Sequence, residues 1–325
     1  MLALKKICVV TPVYEDWAAL NQLLTSLNAL VPSLSRSVSI VVVDDGSTEQ
    51  SGAKMIDCEN LDNLESVELI ELVCNLGNQR AIAVGLAEIS HAYDFDAVVV
   101  MDSDGEDRPE DIPALLEEAE RHPGSIIVAS RTKRQDPLSF KLLYWCYRVL
   151  FRLLTGEKIS FGNFSVIPTN MLRSLVFMPD LWNCVPATFL RSKFPVHRYA
   201  TPRGSRYAGQ SKMKVVPLMV HGLSVISAYS DVFFVRLLIF SAIFGSFVLA
   251  AILGIVWIRL YTDLAIPGWT TNVVLALIII LLQVIIVAMG SLVLLLQGRS
   301  RVGVGPKIDG NVYVRGTQTL VARSA

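Results

Sequence analysis

Two stretches of this chain, "LLIFSAIFGSFVLAAILGIVWI" (Leu237 to Ile258) and "VVLALIIILLQVIIVAMGSLVLLL" (Val273 to Leu296), run for 22 and 24 residues without a single charge. At helical rise each covers roughly 33 to 36 Å, enough to cross a hydrocarbon core of about 30 Å. Buried core helices are the alternative, but two such runs in succession favour transmembrane helices. The whole chain is 52% hydrophobic over 325 residues with mean hydropathy +0.48, too apolar for an ordinary soluble enzyme. At 18% charged residues it is also too polar to lie wholly in lipid. The 14-residue connection "RLYTDLAIPGWTTN" holds one Arg, whereas Lys212, Lys214 and Arg236 precede the pair and Arg299, Arg301 and Lys307 follow it. The positive-inside rule then puts both ends in the cytoplasm. A multi-pass protein of the inner (cytoplasmic) membrane is expected, with its larger domain cytoplasmic.

The expected division is a soluble domain at 1–212, a juxtamembrane helix at 213–236, spans at 237–258 and 273–296 joined by an outer loop at 259–272, and a cytoplasmic tail at 297–325. The segment "VVPLMVHGLSVISAYSDVFF" mixes apolar and small polar residues behind two lysines, as a helix lying in the interface does. It could equally be the last soluble helix. The tail contains "VGVGPKIDG" and is expected to be partly mobile. The N-terminal "KK" is followed only by "ICVV" before polar residues, too short for a signal-peptide core, so export of the domain is not expected.

Within the first 212 residues, apolar runs alternate with helical patterns: "KICVVTPVY", the helix "WAALNQLLTSLNAL", "SVSIVVVDDGS", "VELIELVCN", the helix "NQRAIAVGLAEISHA", "DAVVVMDSD", the helix "PEDIPALLEEAERH" and "GSIIVASR". β-branched strands separated by helices of about a dozen residues indicate an α/β domain with a mostly parallel sheet flanked by helices. Wholly apolar strands fit this, because both faces of a parallel sheet are covered. Polar loops then begin where strands end, at the edge where open α/β sheets place their ligands.

Three such loops stand out: "TPVYED", "VDDGST" and "MDSDGEDRPE". The last begins a run with six acids in ten positions, Asp102 to Asp111. Asp102, Asp104 and Glu106 fall at i, i+2 and i+4. An EF-hand is excluded, since its loop needs Gly at the sixth position and Glu at the twelfth, where this chain has Asp107 and Pro113. A Mg²⁺- or Mn²⁺-type site completed by substrate phosphates fits better. Asp107, Glu110 and Asp111 suit the first turn of the following helix, where acids complement the dipole. Neither a dinucleotide fingerprint nor a P-loop occurs. Phosphates would be held through metal and basic side chains.

Formal charge is zero overall but −12 over residues 1–157 and +12 over 158–325. An acidic half suits a cation or a cation-bridged ligand, and a basic half beside membrane segments suits anionic headgroups or a lipid phosphate. The five cysteines include no C-x-x-C pair and read as reduced thiols in a cytosolic setting. His91, His122, His197 and His221 are scattered without metal-ligand spacing and read as surface or interface residues.

"TPVYED", "VDDGST", "NLGNQRAIAVGL", "MDSDGEDRPE", "ASR" and "RYAGQSKM", in this order and followed by two spans, resemble the family 2 glycosyltransferases. Within these, the chain is most similar to the polyprenyl-phosphate glycosyltransferases, the dolichol-phosphate mannose synthase-like group. The resemblance implies a glycosyltransferase A type fold, a UDP- or GDP-linked sugar donor, a divalent Mg²⁺ or Mn²⁺ ion and an undecaprenyl or dolichyl phosphate acceptor. Carried over, Pro12, Tyr14, Glu15, Asp44 and Asp45 would hold the nucleoside. Asp102, Asp104 and Glu106 would hold the ion and diphosphate, with Ser103 and Arg80 beside the nucleotide sugar. Arg131, Arg206, Ser211 and Lys212 would approach the acceptor phosphate, and Asp104, Arg131, Arg206 and Lys212 are the expected catalytic set. Membrane lipids are expected partners, nucleic acid is not, and a homo-oligomer is left open.

The chain departs from the family pattern at four places. The basic residue often found after the Gly of "N-x-G" is Asn78 here, with Arg80 two positions on as its candidate substitute. Where relatives read roughly "G-D-F-R-L" this chain reads "GNFSV", with Asn163 and Ser165. The third acid, Glu106, is commonly Gln, and "LWNCVPATFLRSKFPVHRYATP" does not match the usual acceptor loop closely. Asn163 cannot serve as the general base that a hydroxyl acceptor needs. A phosphomonoester, with a second pKa of about 6, arrives largely dianionic and needs none. The expectation is one-step inverting transfer to polyprenyl phosphate at the cytoplasmic face. The alternatives are another lipid or polysaccharide acceptor, although the "Q-x-x-R-W" of processive synthases is absent, or a catalytically inactive membrane-tethered relative.

Overall fold

Four of the apolar runs form the middle of one sheet. A computed structural model describes residues 4–48, 53–92, 94–131, 152, 156, 161–207, 229–262, 268–300 and 304–323, with backbone alone at 53, 91, 92, 131 and 298–300. The strands are β1 (Lys6–Val13), β2 (Ser37–Asp44), β3 (Ser66–Leu72), β4 (Ala97–Val100), β5 (Ile126–Arg131), β6 (Ser165–Pro168), β7 (Val196–Thr201) and β8 (Val314–Ala322), in spatial order β7-β5-β6-β4-β1-β2-β3-β8. β3, β2, β1 and β4 are mutually parallel, and β5 is parallel to β7. β6 runs antiparallel to both β4 and β5, so β4 and β5 point the same way.

The helices are α1 (Trp17–Leu34), α2 (Asn78–Ala92), α3 (Ile112–Arg121), α4 (Thr169–Leu175), α5 (Val185–Arg191), α6 (Ser230–Tyr261), α7 (Trp269–Ser300) and the short α8 (Pro306–Asp309). Successive strand residues face opposite sides. Ile7, Val9, Ile40 and Val42 accordingly pack with Leu20, Leu23, Leu24 and Leu27 of α1 and with Leu115 and Leu116 of α3. Cys8, Val10, Val41 and Val43 pack on the other face with Ile82 and Leu86 of α2, Leu172 of α4 and Phe189 of α5. The unbroken burial of β4 and the near-complete burial of β1 and β2 follow from this double cover.

Two strands with no apolar run in the sequence extend the sheet. β6 is four residues of "SVIP", and β7, "VHRYAT", is only partly buried, as an edge strand is. The C-terminal segment corrects the expectation of a partly mobile tail. β8 pairs antiparallel with β3, from Ser66↔Ala322 to Leu72↔Val314. Ahead of it, Lys307 donates from Nζ to Ala87 O at 2.8 Å and Ser90 Oγ at 2.7 Å, near the C-terminal end of α2. A cation there sits toward the negative end of the helix dipole. Trp182 Nε1 donates to Val304 O at 3.1 Å and the Lys307 backbone N–H to Val176 O at 2.9 Å.

The described residues fall into two compact units, one drawn from within 1–140, 159–228 and 303–325 and the other from within 141–158 and 229–302. In the second, α6 and α7 are each 32 residues long, beyond the 22 and 24 expected, and both are apolar enough to cross a membrane. Phe240, Phe247, Leu253 and Ile286 are exposed along them. Ser246 and Ser291 donate to the carbonyls of Ala242 and Val287 four residues back, so their hydroxyls need no water. Of the expected juxtamembrane segment, 213–228 lies outside the described residues, and 230–236 forms the first turns of α6.

Candidate active site

Parallel pairing brings the C-terminal ends of β1, β2 and β4 to one edge, and the polar loops that follow them are tied together by their own backbones. Asp45 N–H donates to Val13 O at 2.9 Å, linking the loop after β2 to the end of β1. Ser103 Oγ donates to Pro12 O at 2.9 Å, linking the loop after β4 to the same strand. Glu15 donates its N–H to Ser47 Oγ at 3.1 Å and accepts the Thr48 N–H on Oε1 at 2.8 Å. Tyr14, half exposed, stands at the rim.

Asp44 and Asp45 are buried and wired into these loops. Asp44 Oδ1 accepts the Ser47 N–H at 3.0 Å. Asp45 accepts the N–H groups of Leu76 and Gly77 on its two oxygens, at 2.7 and 2.9 Å. Burial pushes the Asp45 carboxyl above the usual aspartate range, those two N–H groups pull it back in part, and Asp44 adds to the rise. Asp45 therefore shapes the entry into α2. Arg80, in the first turn of α2, is exposed, and its side chain makes no hydrogen bond or ion pair among the described residues, while its N–H donates to Gly77 O at 3.0 Å.

The acidic loop is folded around itself and around a distant segment. Asp107 Oδ2 accepts the Asp102 N–H at 3.0 Å, and Asp104 Oδ1 accepts the Glu106 N–H at 2.9 Å. Residues 203–207 then lie against it. Arg206 meets Asp104 Oδ2 at 2.8 Å and Glu106 Oε1 at 3.1 Å, and Arg203 meets the same Glu106 oxygen at 2.5 Å. Gly204 N–H and Tyr207 N–H donate to Glu106 O and Asp104 O, each at 3.0 Å. Two glycines permit this approach. A Cβ on Gly204 would stand 2.2 Å from Gly105 O, and one on Gly105, at φ +88, would stand 2.8 Å from the Tyr207 ring. Glu106, Asp107, Ala129, Gly162, Phe164 and Thr201 line a small cleft beside the loop.

Asp104 and Glu106 thus face two guanidinium groups, and with Asp102 the three acids keep a net negative balance. Burial pushes the Asp104 carboxyl above its ordinary value; the Glu106 N–H and Arg206 lower it, and Asp102 and Glu106 raise it. Among the described residues Asp102 Oδ2 takes no hydrogen bond, while Oδ1 accepts from Asn78 Nδ2 at 3.1 Å and Asn163 Nδ2 at 3.4 Å. An under-neutralised set of hard oxygen donors fits a Mg²⁺- or Mn²⁺-type cation.

Two of the departures from the family pattern, Asn78 and Asn163, meet at Asp102, and Gln79 joins them. Gln79 Nε2 donates to Asn163 Oδ1 at 2.9 Å, and its Oε1 accepts the Val185 N–H at the start of α5 at 2.8 Å. Gln79 and Arg203 went unnoticed in the sequence. Their only signal there was position, Gln79 beside Asn78 and Arg203 three residues before Arg206. Of the remaining expected residues, Arg131 ends β5 opposite Thr201, with its backbone alone described, and Ser211 and Lys212 lie outside the described residues.

Undecaprenyl-phosphate 4-deoxy-4-formamido-L-arabinose transferase of Salmonella paratyphi A is 30% identical over 155 residues, which cover 47% of this chain and 45% of that protein. The same figures hold for the protein of that description in Salmonella dublin. The match thus spans less than half the length of these curated relatives. Among solved structures, mannosyl-3-phosphoglycerate synthase from Rubrobacter xylanophilus is 17% identical with a TM-score of 0.48, covering 70% of this chain and 73% of that one. Glucosyl-3-phosphoglycerate synthase from Mycobacterium tuberculosis, in complex with Mn²⁺ and uridine-diphosphate-glucose, is 14% identical with a TM-score of 0.48, covering 70% and 79%. The family model described as glycosyl transferase family 2 matches residues 8–198, more than half of the chain and all the strands that carry the acidic loops, and the chain belongs to that family.

Proposed function

We propose that this protein transfers one sugar from a nucleotide-diphosphate sugar, UDP- or GDP-linked, to a polyprenyl phosphate at the cytoplasmic face of the membrane, with inversion at the anomeric carbon. The observation that carries the reading is the acidic loop after β4 with Arg206 lodged on it, in a chain that also holds two long apolar helices. The name of the Salmonella relatives, an undecaprenyl-phosphate transferase, supports the same acceptor class.

Asp102, Asp104 and Glu106 would hold a divalent ion, which when bound supplies positive charge against the departing diphosphate. The chain's own groups do the rest. Pro12, Tyr14 and Glu15, with the loop braced by Asp44 and Asp45, form the wall for the nucleoside. Arg80 offers a guanidinium to the diphosphate from the first turn of α2. Arg206 is the group that can change partners: its fork, now shared between Asp104 and Glu106, suits phosphate oxygens equally well. Arg131, Ser211 and Lys212 complete the acceptor side. Asn163 holds Asp102 and takes no proton, so the acceptor must arrive already ionised, as a phosphate does. Catalysis then lies in positioning two anionic substrates in line.

The test incubates the purified full chain with Mn²⁺ or Mg²⁺, undecaprenyl phosphate and a panel of labelled nucleotide sugars, and scores label in the organic phase. Labelled lipid from one donor is the expected result. No lipid product from any donor overturns the reading.

A further inference from the structure

At the sheet edge opposite the acidic loop, Glu118, His122 and His197 come together from two rigid elements. Glu118 and His122 sit at i and i+4 at the C-terminal end of α3, and His197 is the second residue of β7, in register with Ile127 of β5. Both imidazole Nε2 atoms point at one oxygen: Glu118 Oε2 lies 3.4 Å from His122 Nε2 and 3.6 Å from His197 Nε2. The ligand atoms of all three residues lie within 4.8 Å of one another. These are not ordinary charge-assisted hydrogen bonds, which run about 2.7 to 2.9 Å. They match the edge of a tetrahedron around an ion with bonds of about 2.0 to 2.1 Å, which is about 3.3 to 3.4 Å.

The surroundings favour the same geometry. The other Glu118 oxygen, Oε1, accepts from Arg121 Nη1 at 2.5 Å, which turns Oε2 toward the histidines as an outer partner orients a ligating carboxylate. The Glu118 side chain is 12% exposed and the two imidazoles 42% each, so the carboxylate forms the floor and the rings an open rim. The rings stack, with centroids 3.9 Å apart and planes 22° from parallel, so an ion held in both ring planes requires the two rim imidazoles to fan apart about Glu118. Two imidazoles and one carboxylate are the donor set of a zinc-class ion with water in the fourth position.

We propose that Glu118, His122 and His197 form a second metal site, for a zinc-class divalent ion, distinct from the carboxylate loop that faces the donor. Its position gives it a structural consequence. α3 follows directly from the loop carrying Asp104 and Glu106, and β7 leads directly into Arg203 and Arg206, which pair with those acids. An ion joining the far ends of these two segments ties together the supports of both halves of that contact. The site stands whether or not the transfer reading holds.

The experiment uses the full chain in detergent with Asp104→Asn in place, so that the carboxylate loop is weakened as a competing site. Zn²⁺ is added in a thermal-unfolding series, and Co²⁺ is added separately to read the visible bands of tetrahedral coordination. The expected result is a rise in Tm with Zn²⁺ and a Co²⁺ band, both lost in His122→Gln and in His197→Gln, with apparent affinity falling by about tenfold or more. Circular dichroism checks that each variant is folded, and His122→Gln, at an exposed helix end, keeps the test open if the strand variant is not. No Tm rise and no Co²⁺ band, or responses that survive both histidine substitutions, overturn the proposal.

Discussion

The two sides of the candidate site are built from different chemistry. The side formed by the ends of β1, β2 and β4 is carboxylate-rich, and its loops are tied to one another by N–H and hydroxyl groups of neighbouring βα units. The side formed by 161–207 contributes an amide, Asn163, and two guanidiniums, Arg203 and Arg206, that reach the acids across about a hundred residues of sequence. Adjacent parallel strands preorganise the first side. The second side is carried by β6 and β7 of the same sheet, but its two arginines reach the acids only through a handful of polar contacts.

Asp104→Asn is expected to have the largest effect on activity. It removes charge where the proposed ion and Arg206 would converge, and a loss of about 10² to 10³ in rate is expected, as for other preorganised electrostatic groups. The fold should not suffer, since burial already disfavours this carboxylate. Lipid-product assays beside thermal unfolding check it; retained activity would place the ion elsewhere.

Asp45→Asn probes the braced side. An amide offers one oxygen where Leu76 and Gly77 need two acceptors, so unfolding by urea should show a loss of about 1 to 3 kcal/mol. An unchanged midpoint would mean that the loops do not depend on this brace.

Glu106→Gln separates two roles on the other side. Glu106 is engaged by Arg203 and Arg206, and the amide oxygen can still accept from them. The rate should fall by about tenfold or less, well below the Asp104→Asn effect, in line with losing one charge-assisted bond. An equal loss in both variants would make Glu106 a full ligand of the ion.

Gln79→Leu cuts the link from Val185 to Asn163 while keeping volume. A cost of about 1 kcal/mol is expected, read as a few-fold rise in KM for the lipid acceptor with little change for the donor. A donor-side effect of the same size would erase the distinction between the two sides.

The smallest expected effect is on pH dependence. Because the Asp104 carboxyl is held above its ordinary value of 3.8, it takes up a proton at higher pH than a free aspartate. Mn²⁺ affinity should therefore fall as pH is lowered toward that raised pKa, sooner than for an unperturbed carboxylate. Stability moves the opposite way. The folded state binds this proton more readily than the unfolded chain, so the group's contribution to stability falls as pH rises through the window above 3.8. Titration calorimetry with Mn²⁺ at several pH values reads the first effect and urea unfolding the second.

Much of this was legible locally. The first β-strands announced themselves because a doubly covered parallel strand must be apolar at every position. The loops after them stood out because the acids begin where that requirement stops. α6 and α7 were equally plain, since hydrocarbon thickness sets a length that few soluble helices reach without a charge. Asn163 could be recognised as a departure, but its bonds to Gln79 and Asp102 could not.

What needed the tertiary structure shares one property: partners far apart in sequence and no local periodicity. β8 closes the sheet against β3 because an unpaired strand edge accepts any segment that can complete its hydrogen bonds, and nothing in "VRGTQTLVA" names that partner. Arg203 and Arg206 reach Glu106 because Gly204 and Gly105 let two backbones touch. His122 and His197, scattered along the chain, meet at Glu118 because β7 pairs beside β5 in parallel. Local pattern follows from whether each residue must face water, apolar neighbours or lipid; such meetings follow from how the sheet orders its strands, which no single segment encodes.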